Sequence, residues 1–230
     1  MLRFREITLG PAGDVACRRC AAVPVAFVED DWFARLDTML SGRTDEGVLI
    51  TGTGAVSAER LAEAVRRCVD RGVSRVAVRV REPGVAVAAL ESGARTVEVA
   101  LLGPAEALHD GLAGEQGSFV RARETVRSTR EWADASSARV SVRAIVPVCP
   151  HNLREAPATV TSCAEAGVDV VVLACVPTLD PRRSAEWVGA ACDTGTVNRV
   201  WVSVRGLSAE SLGAKALHAI DALSTEAAPL

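Results

Sequence analysis

The sequence predicts an α/β chain of repeated βα units curled into a partial barrel, and three observations carry that reading. Short β-branched runs alternate with amphipathic stretches at a spacing of about thirty residues from end to end, the pattern of parallel strands joined by helices. The strand-like runs present one apolar face and one mixed, polar face. A strand sandwiched between two helix layers would be apolar on both, so the split places helices outside and a polar lumen inside. Finally, 230 residues with 49% hydrophobic side chains suffice for one sizeable core, and no linker or low-complexity segment divides them.

About seven units are expected, with strands at Leu2–Leu9, Gly47–Thr51, Arg75–Val80, Thr96–Leu102, Arg139–Val148, Asp169–Val176 and Arg199–Arg205. Helices open at recognisable caps: Ser57 before AERLAEAVRRCV, Asn152 with Glu155 three residues on, Asp180 followed by Pro181, and Ser208. The whole of 1–230 reads as one domain, with a frayed tail at about 224–230.

Strand faces follow from the period of two. In RVAVRVR, Val76, Val78 and Val80 share one face and Ala77, Arg79 and Arg81 the other; in TVEVALL the split is Val97/Val99/Leu101 against Glu98/Ala100/Leu102. RVSVRAIV and RVWVSVR repeat it. Arg79, Glu98 and Arg143 therefore fall on the inward faces of three consecutive strands, within reach of an Arg–Glu–Arg cluster. Such a cluster can simply neutralise itself, because buried charges must be paired whatever their role. Alternatively one arginine, Arg143, clamps the carboxylate or phosphate of a ligand.

The formal net charge of −3 and pI near 5.7 call for neither nucleic acid nor an anionic membrane. The start MLRFREITLG lacks a signal core, no run nears the roughly 18 apolar residues of a membrane helix, and a cytoplasmic protein is expected. Seven cysteines, several inside apolar patterns, do not suggest a disulfide framework.

The stretch TVEVALLGPAEALHDGLAGEQGSFVRARETV, followed by RVSVRAIVPVCPHNLREAPATVTSCAEAGVDVVVLACVP, resembles the fourth to sixth βα units of radical S-adenosylmethionine (SAM) proteins. Gly103-Pro104, His109-Asp110, Gly114, Gly117-Ser118-Phe119 and Asn152 stand at that family's intervals, and the resemblance covers nearly the whole chain. It implies a radical-SAM-like partial (β/α) TIM-type barrel of six to seven units. It also implies a four-iron cluster held by C-x-x-x-C-x-x-C after the first strand, which leaves one iron for the methionyl group of SAM. Thiolates suit that task because iron–sulfur clusters need soft anionic ligands.

This chain departs from the motifs. In GDVACRRC two cluster positions fall on Cys17 and Cys20, but the first falls on Gly13, and the aromatic residue before the third cysteine is Arg19. The Gly-Gly-Glu-Pro signature that binds the amino group of SAM is Gly52-Thr53-Gly54-Ala55, without the carboxylate, although Thr51, Thr53 and backbone carbonyls remain as acceptors. Ala100 stands where a small polar residue is usual, and Leu102 where a histidine is frequent.

Three readings of Cys17 and Cys20 stand side by side: a [4Fe-4S] cluster completed by a remote ligand, with Cys149 and Cys175 expected at the same mouth; zinc, with His151; or a relic without metal. His109 and Asp110 are read as a structural turn rather than an acid–base pair, and His218 as lying on the last helix. TGTGAVS resembles a phosphate-cradling turn but lacks the lysine of a P-loop and the third glycine of a dinucleotide motif.

Three functions follow in order of preference. The first is a degenerate, non-catalytic radical SAM-like subunit that binds or scaffolds beside an active radical SAM partner acting on a peptide or small molecule. The second is a working radical SAM enzyme with atypical cluster ligation. The third is an iron-independent barrel enzyme that takes an anionic small molecule.

Overall fold

The computed structural model describes residues 4–8, 32–40, 47–51 and 56–207. They form seven parallel strands in the order β1 to β7, each paired with its sequence neighbours. The strands are β1 (Phe4–Thr8), β2 (Gly47–Thr51), β3 (Val76–Arg79), β4 (Thr96–Ala100), β5 (Ser141–Val148), β6 (Val170–Cys175) and β7 (Trp201–Arg205). The helices are α1 (Trp32–Leu40), α2 (Ala58–Asp70), α3 (Pro83–Glu91), α4 (Glu106–Ala113), α5 (Ser118–Ser136), α6 (Ala156–Glu165) and α7 (Pro181–Val197). All seven expected strands are present; β2 has its expected bounds, and β3 to β7 are each two residues shorter, because pairing stops where the chain turns toward a helix. At β7 the expected start, Arg199, instead takes φ 58 in the turn before the strand.

The two faces of the sheet are as the alternation requires. Val48, Ile50, Val76, Val78, Val97, Val99, Val142, Ala144, Val146, Val171, Leu173, Val202 and Val204 join one buried cluster with Leu61, Val65, Leu90, Val126, Val160 and Val188 from the helices. That layer is the core. Gly195 of α7 lies so close to β7 that a Cβ there would meet Val202 at 2.3 Å, which is why a small residue occupies this helix position.

Two caps are confirmed. The Ser57 side chain accepts from the Arg60 N–H, and Asp180 accepts from the Arg182 and Arg183 N–H groups ahead of Pro181. Asn152 is a correction: its side chain caps no helix, and α6 begins only after a 3₁₀ turn at Leu153–Glu155. The cap predicted at Ser208 and the helix around His218 lie outside the described residues.

Candidate functional site at the barrel lumen and mouth

The inner face is built by the residues that alternate with the core. Neighbouring strands place Arg79 opposite Glu98, Glu98 opposite Arg143, and Arg143 opposite Val170. Glu98 is fully buried, and Arg79 and Arg143 are nearly so. The Glu98 Oε1 accepts from Arg79 Nε at 2.7 Å and lies 2.6 Å from Arg79 Nη2. The Arg143 Nε stands 3.7 Å from Glu98 Oε2. The Arg–Glu–Arg cluster expected from the alternation is therefore formed, and it points inward. Glu6 of β1 joins it, 3.4 Å from Arg79 Nη1.

Burial alone would push the Glu98 carboxyl upward. The charges of Arg79, Arg143 and Arg205, with the hydrogen bond from Arg79, outweigh it and hold the carboxyl below its usual range. Arg205 on β7 thus belongs to the same charged interior. The sequence reading missed Glu6, Ser203 and Arg205, although the period of two places all three on inward faces.

Ser203 differs from its neighbours. It is 3% exposed, its Oγ has no hydrogen-bond partner among the described residues, and it lies on the row above the cluster, opposite Val172. A buried hydroxyl without a hydrogen bond carries a desolvation cost that nothing offsets.

At the C-terminal mouth, a second polar group closes the ends of β4 and β5. Asn152, 2% exposed, accepts from the Cys149 N–H and donates to the Leu102 and Pro147 carbonyls, each at 2.8 Å. Its job is to staple two strand ends together. His109 is buried and accepts the Leu102 N–H on Nδ1 at 3.1 Å, with its ring edge-on to Phe119. Burial lowers its pKa to about 4; Asp110 opposes the shift and Arg81 adds to it. Asp110 accepts from Gly117 N, Ser118 Oγ and Phe119 N, fastening the start of α5. Desolvation raises its pKa, and these hydrogen bonds more than reverse the rise. The structural role read for His109 and Asp110 is what their contacts perform.

Among the described residues, the cysteines do not gather. Cys17, Cys20, Gly13, Arg19 and Gly52, Thr53 and Gly54 lie outside the described residues. Cys149 packs with Leu102, Leu108 and Leu112. Cys175 is a correction: it lies in the core between sheet and helices, not at the mouth, because odd-numbered residues of β6 face outward. Burial pushes the Cys175 thiol up to about 12 and does the same for Cys68 and Cys163. All three are packed in the core between the sheet and the helices, on the side of the strands that faces away from the lumen. Among the described residues, no group of three His, Cys, Asp or Glu side chains is placed to hold a metal ion. Ala100 and Leu102 put no polar side chain at the end of β4. A groove of about 530 Å³ between α2 and α3, floored by Ala58, Ala62 and Ala88, lies on the outer helix layer, away from these groups.

No family model and no curated protein matches the sequence. Solved structures do. SuiB of Streptococcus suis superposes with a TM-score of 0.62 at 14% identity, covering 89% of this chain and 50% of that one. Methylornithine synthase (PylB) gives 0.60 at 10%, covering 88% and 64%. The structure of anSMEcpe with bound AdoMet and Kp18Cys peptide gives 0.62 at 12%, covering 87% and 63%. The HMG-CoA lyase of Brucella melitensis gives 0.55 at 15%, covering 92% and 76%. This chain spans about half to two thirds of the length of the first three, which are radical SAM enzymes. It has their fold, a curled half-barrel of parallel strands. No described helix is long and apolar enough to cross a membrane.

Proposed function

We propose that this chain is a radical SAM-fold barrel that has given up cluster chemistry and serves as a binding or scaffolding subunit beside an active radical SAM enzyme. One observation carries the reading: the barrel from β2 to β7 is intact, yet no described cysteine is suited to replace the ligand lost at Gly13. Cys149 is packed among leucines, and Cys175 lies in the core between sheet and helices, on the outward side of β6. The loss of the SAM-binding carboxylate at Gly54 supports the same conclusion. Two cysteines, Cys17 and Cys20, remain as candidate iron ligands, and Gly52, Thr53 and Gly54 as candidate SAM contacts. We derive no step through either group. Since SuiB has been solved with its precursor peptide SuiA and anSMEcpe with a peptide, a peptide is a reasonable class of client, with a small molecule as the other.

Anaerobic reconstitution with iron and sulfide tests the proposal, with iron counting and assay of SAM cleavage on wild type and a Cys17→Ala/Cys20→Ala variant. The expected result is no deoxyadenosine from either protein. About four irons in the wild type, none in the variant, and SAM-dependent deoxyadenosine would overturn it in favour of an enzyme with atypical ligation.

The basic interior favours one further reading, a barrel enzyme of another kind that takes an anionic substrate. The likeness to the HMG-CoA lyase barrel supports it. Turnover of an anionic substrate without iron would establish it.

A further inference from the structure

We infer that the inner face of β7, at Ser203 and Arg205, is a subsite for the oxyanion of a small molecule that enters through the C-terminal mouth. The inference deepens the binding role proposed above and rests on it. It names the chemistry that the lumen recognises.

The first ground is Ser203. Its hydroxyl is buried, lacks a partner among the described residues, and belongs to the inward set of β7, since Val202 and Val204 pack in the outer core. Buried polar groups in folded proteins are satisfied by protein, water or ligand, so an unsatisfied one needs an explanation. Asn152, His109 and Asp110 find their partners within a few residues or across one strand pair. Ser203 faces apolar Val172 on the adjacent strand and finds none.

The second ground is position and charge. Arg205 follows two residues later on the same face, at the C-terminal end of the strand, the end where barrel proteins place their sites. It is partly exposed, and its charge reaches buried Glu98 across the interior. Arg205 is engaged within the fold, but a guanidinium carries five N–H donors and can serve a ligand as well. Arg79, Arg143 and Arg205 surround the described carboxylates Glu98 and Glu6, so the interior favours an anion over a cation.

The third ground is rigidity. Gly206, at φ 83, brings the chain so close to Cys175 that a Cβ would meet its carbonyl oxygen at 2.3 Å. The end of β7 is thereby held against the end of β6, which fixes the backbone that carries Arg205 before any ligand arrives. A hydroxyl donor and a planar guanidinium one step apart suit a carboxylate or a phosphate alike.

The test is thermal unfolding and isothermal titration of the full chain with inorganic phosphate and, separately, succinate, at constant ionic strength maintained with chloride. Wild type, Ser203→Ala and Arg205→Gln are compared. A site predicts saturable stabilisation of wild type, loss of it in Arg205→Gln, and about tenfold weaker binding in Ser203→Ala. The apo melting temperature of Ser203→Ala should equal or exceed that of wild type. If Arg205→Gln does not fold, Ser203→Ala alone decides. The stronger of the two probes identifies the oxyanion, phosphate or carboxylate. No saturable response in wild type, or equal responses in all three proteins, overturns the inference. SAM cleavage by the protein would overturn the proposed function and leave this site standing, so the two failures are distinguishable.

Discussion

Two polar regions of this barrel, the staple at the mouth and the charged lumen below it, follow opposite rules. At the mouth, Asn152 makes three hydrogen bonds, Asp110 accepts three, and His109 takes the Leu102 N–H. In the lumen, Glu98 is surrounded by arginines, yet among the described residues its Oε2 has no hydrogen bond, and the Ser203 hydroxyl has none either. A region whose polar atoms are matched by short-range partners holds the fold together. A region that keeps charge and an unsatisfied hydroxyl together is where the proposed oxyanion subsite lies.

The largest expected effect breaks the lumen. Glu98→Gln leaves Arg79 and Arg143 without their buried counter-charge, and should cost about 3–5 kcal/mol in urea unfolding. A loss below about 1 kcal/mol would mean that the arginines are neutralised elsewhere.

The next tests the mouth by pH. Because His109 has its pKa lowered to about 4 in the fold from 6.5, the neutral ring is the stabilising form. Its contribution is full above pH 6.5 and is lost as pH falls through about 4, while the unfolded chain takes up the proton first. The loss is on the order of 3 kcal/mol. Unfolding free energies measured from pH 7 to 4 should show a limb that His109→Gln flattens; parallel curves would contradict the assignment.

Asp110→Ala removes the group that fastens the start of α5 and should cost about 2 kcal/mol in thermal or urea unfolding. An unchanged midpoint would show that Gly117 and Phe119 have other acceptors. The smallest effect sharpens the contrast. Ser203→Ala should change stability by less than about 1 kcal/mol, in the stabilising direction, because it removes an unpaired hydroxyl. A marked loss would reveal a partner and return Ser203 to the structural class.

Much of this was legible in the residues. The period of two puts Arg79, Glu98 and Arg143 on inward faces, and the same rule applied to FREIT and WVSVR adds Glu6, Ser203 and Arg205. The Ser57 and Asp180 caps were legible because a cap bonds within three residues of itself. Asn152 was misread for the converse reason: its position before a helix looked like a cap, while its partners are Leu102, fifty residues away, and Pro147 at the end of the preceding strand. Cys175 was assigned to the mouth from its place near a strand end, and the phase of β6 turned it outward.

By itself the sequence determined the repeated βα order and the two faces of each strand, because propensity and alternation are local properties of the chain. Only the tertiary structure decided that Glu98 is shared between arginines of two neighbouring strands, that Asn152 joins β4 to β5, and that Ser203 is buried without a partner. Those outcomes depend on strand register and on which side chains a curled sheet brings across its interior, and local pattern carries neither.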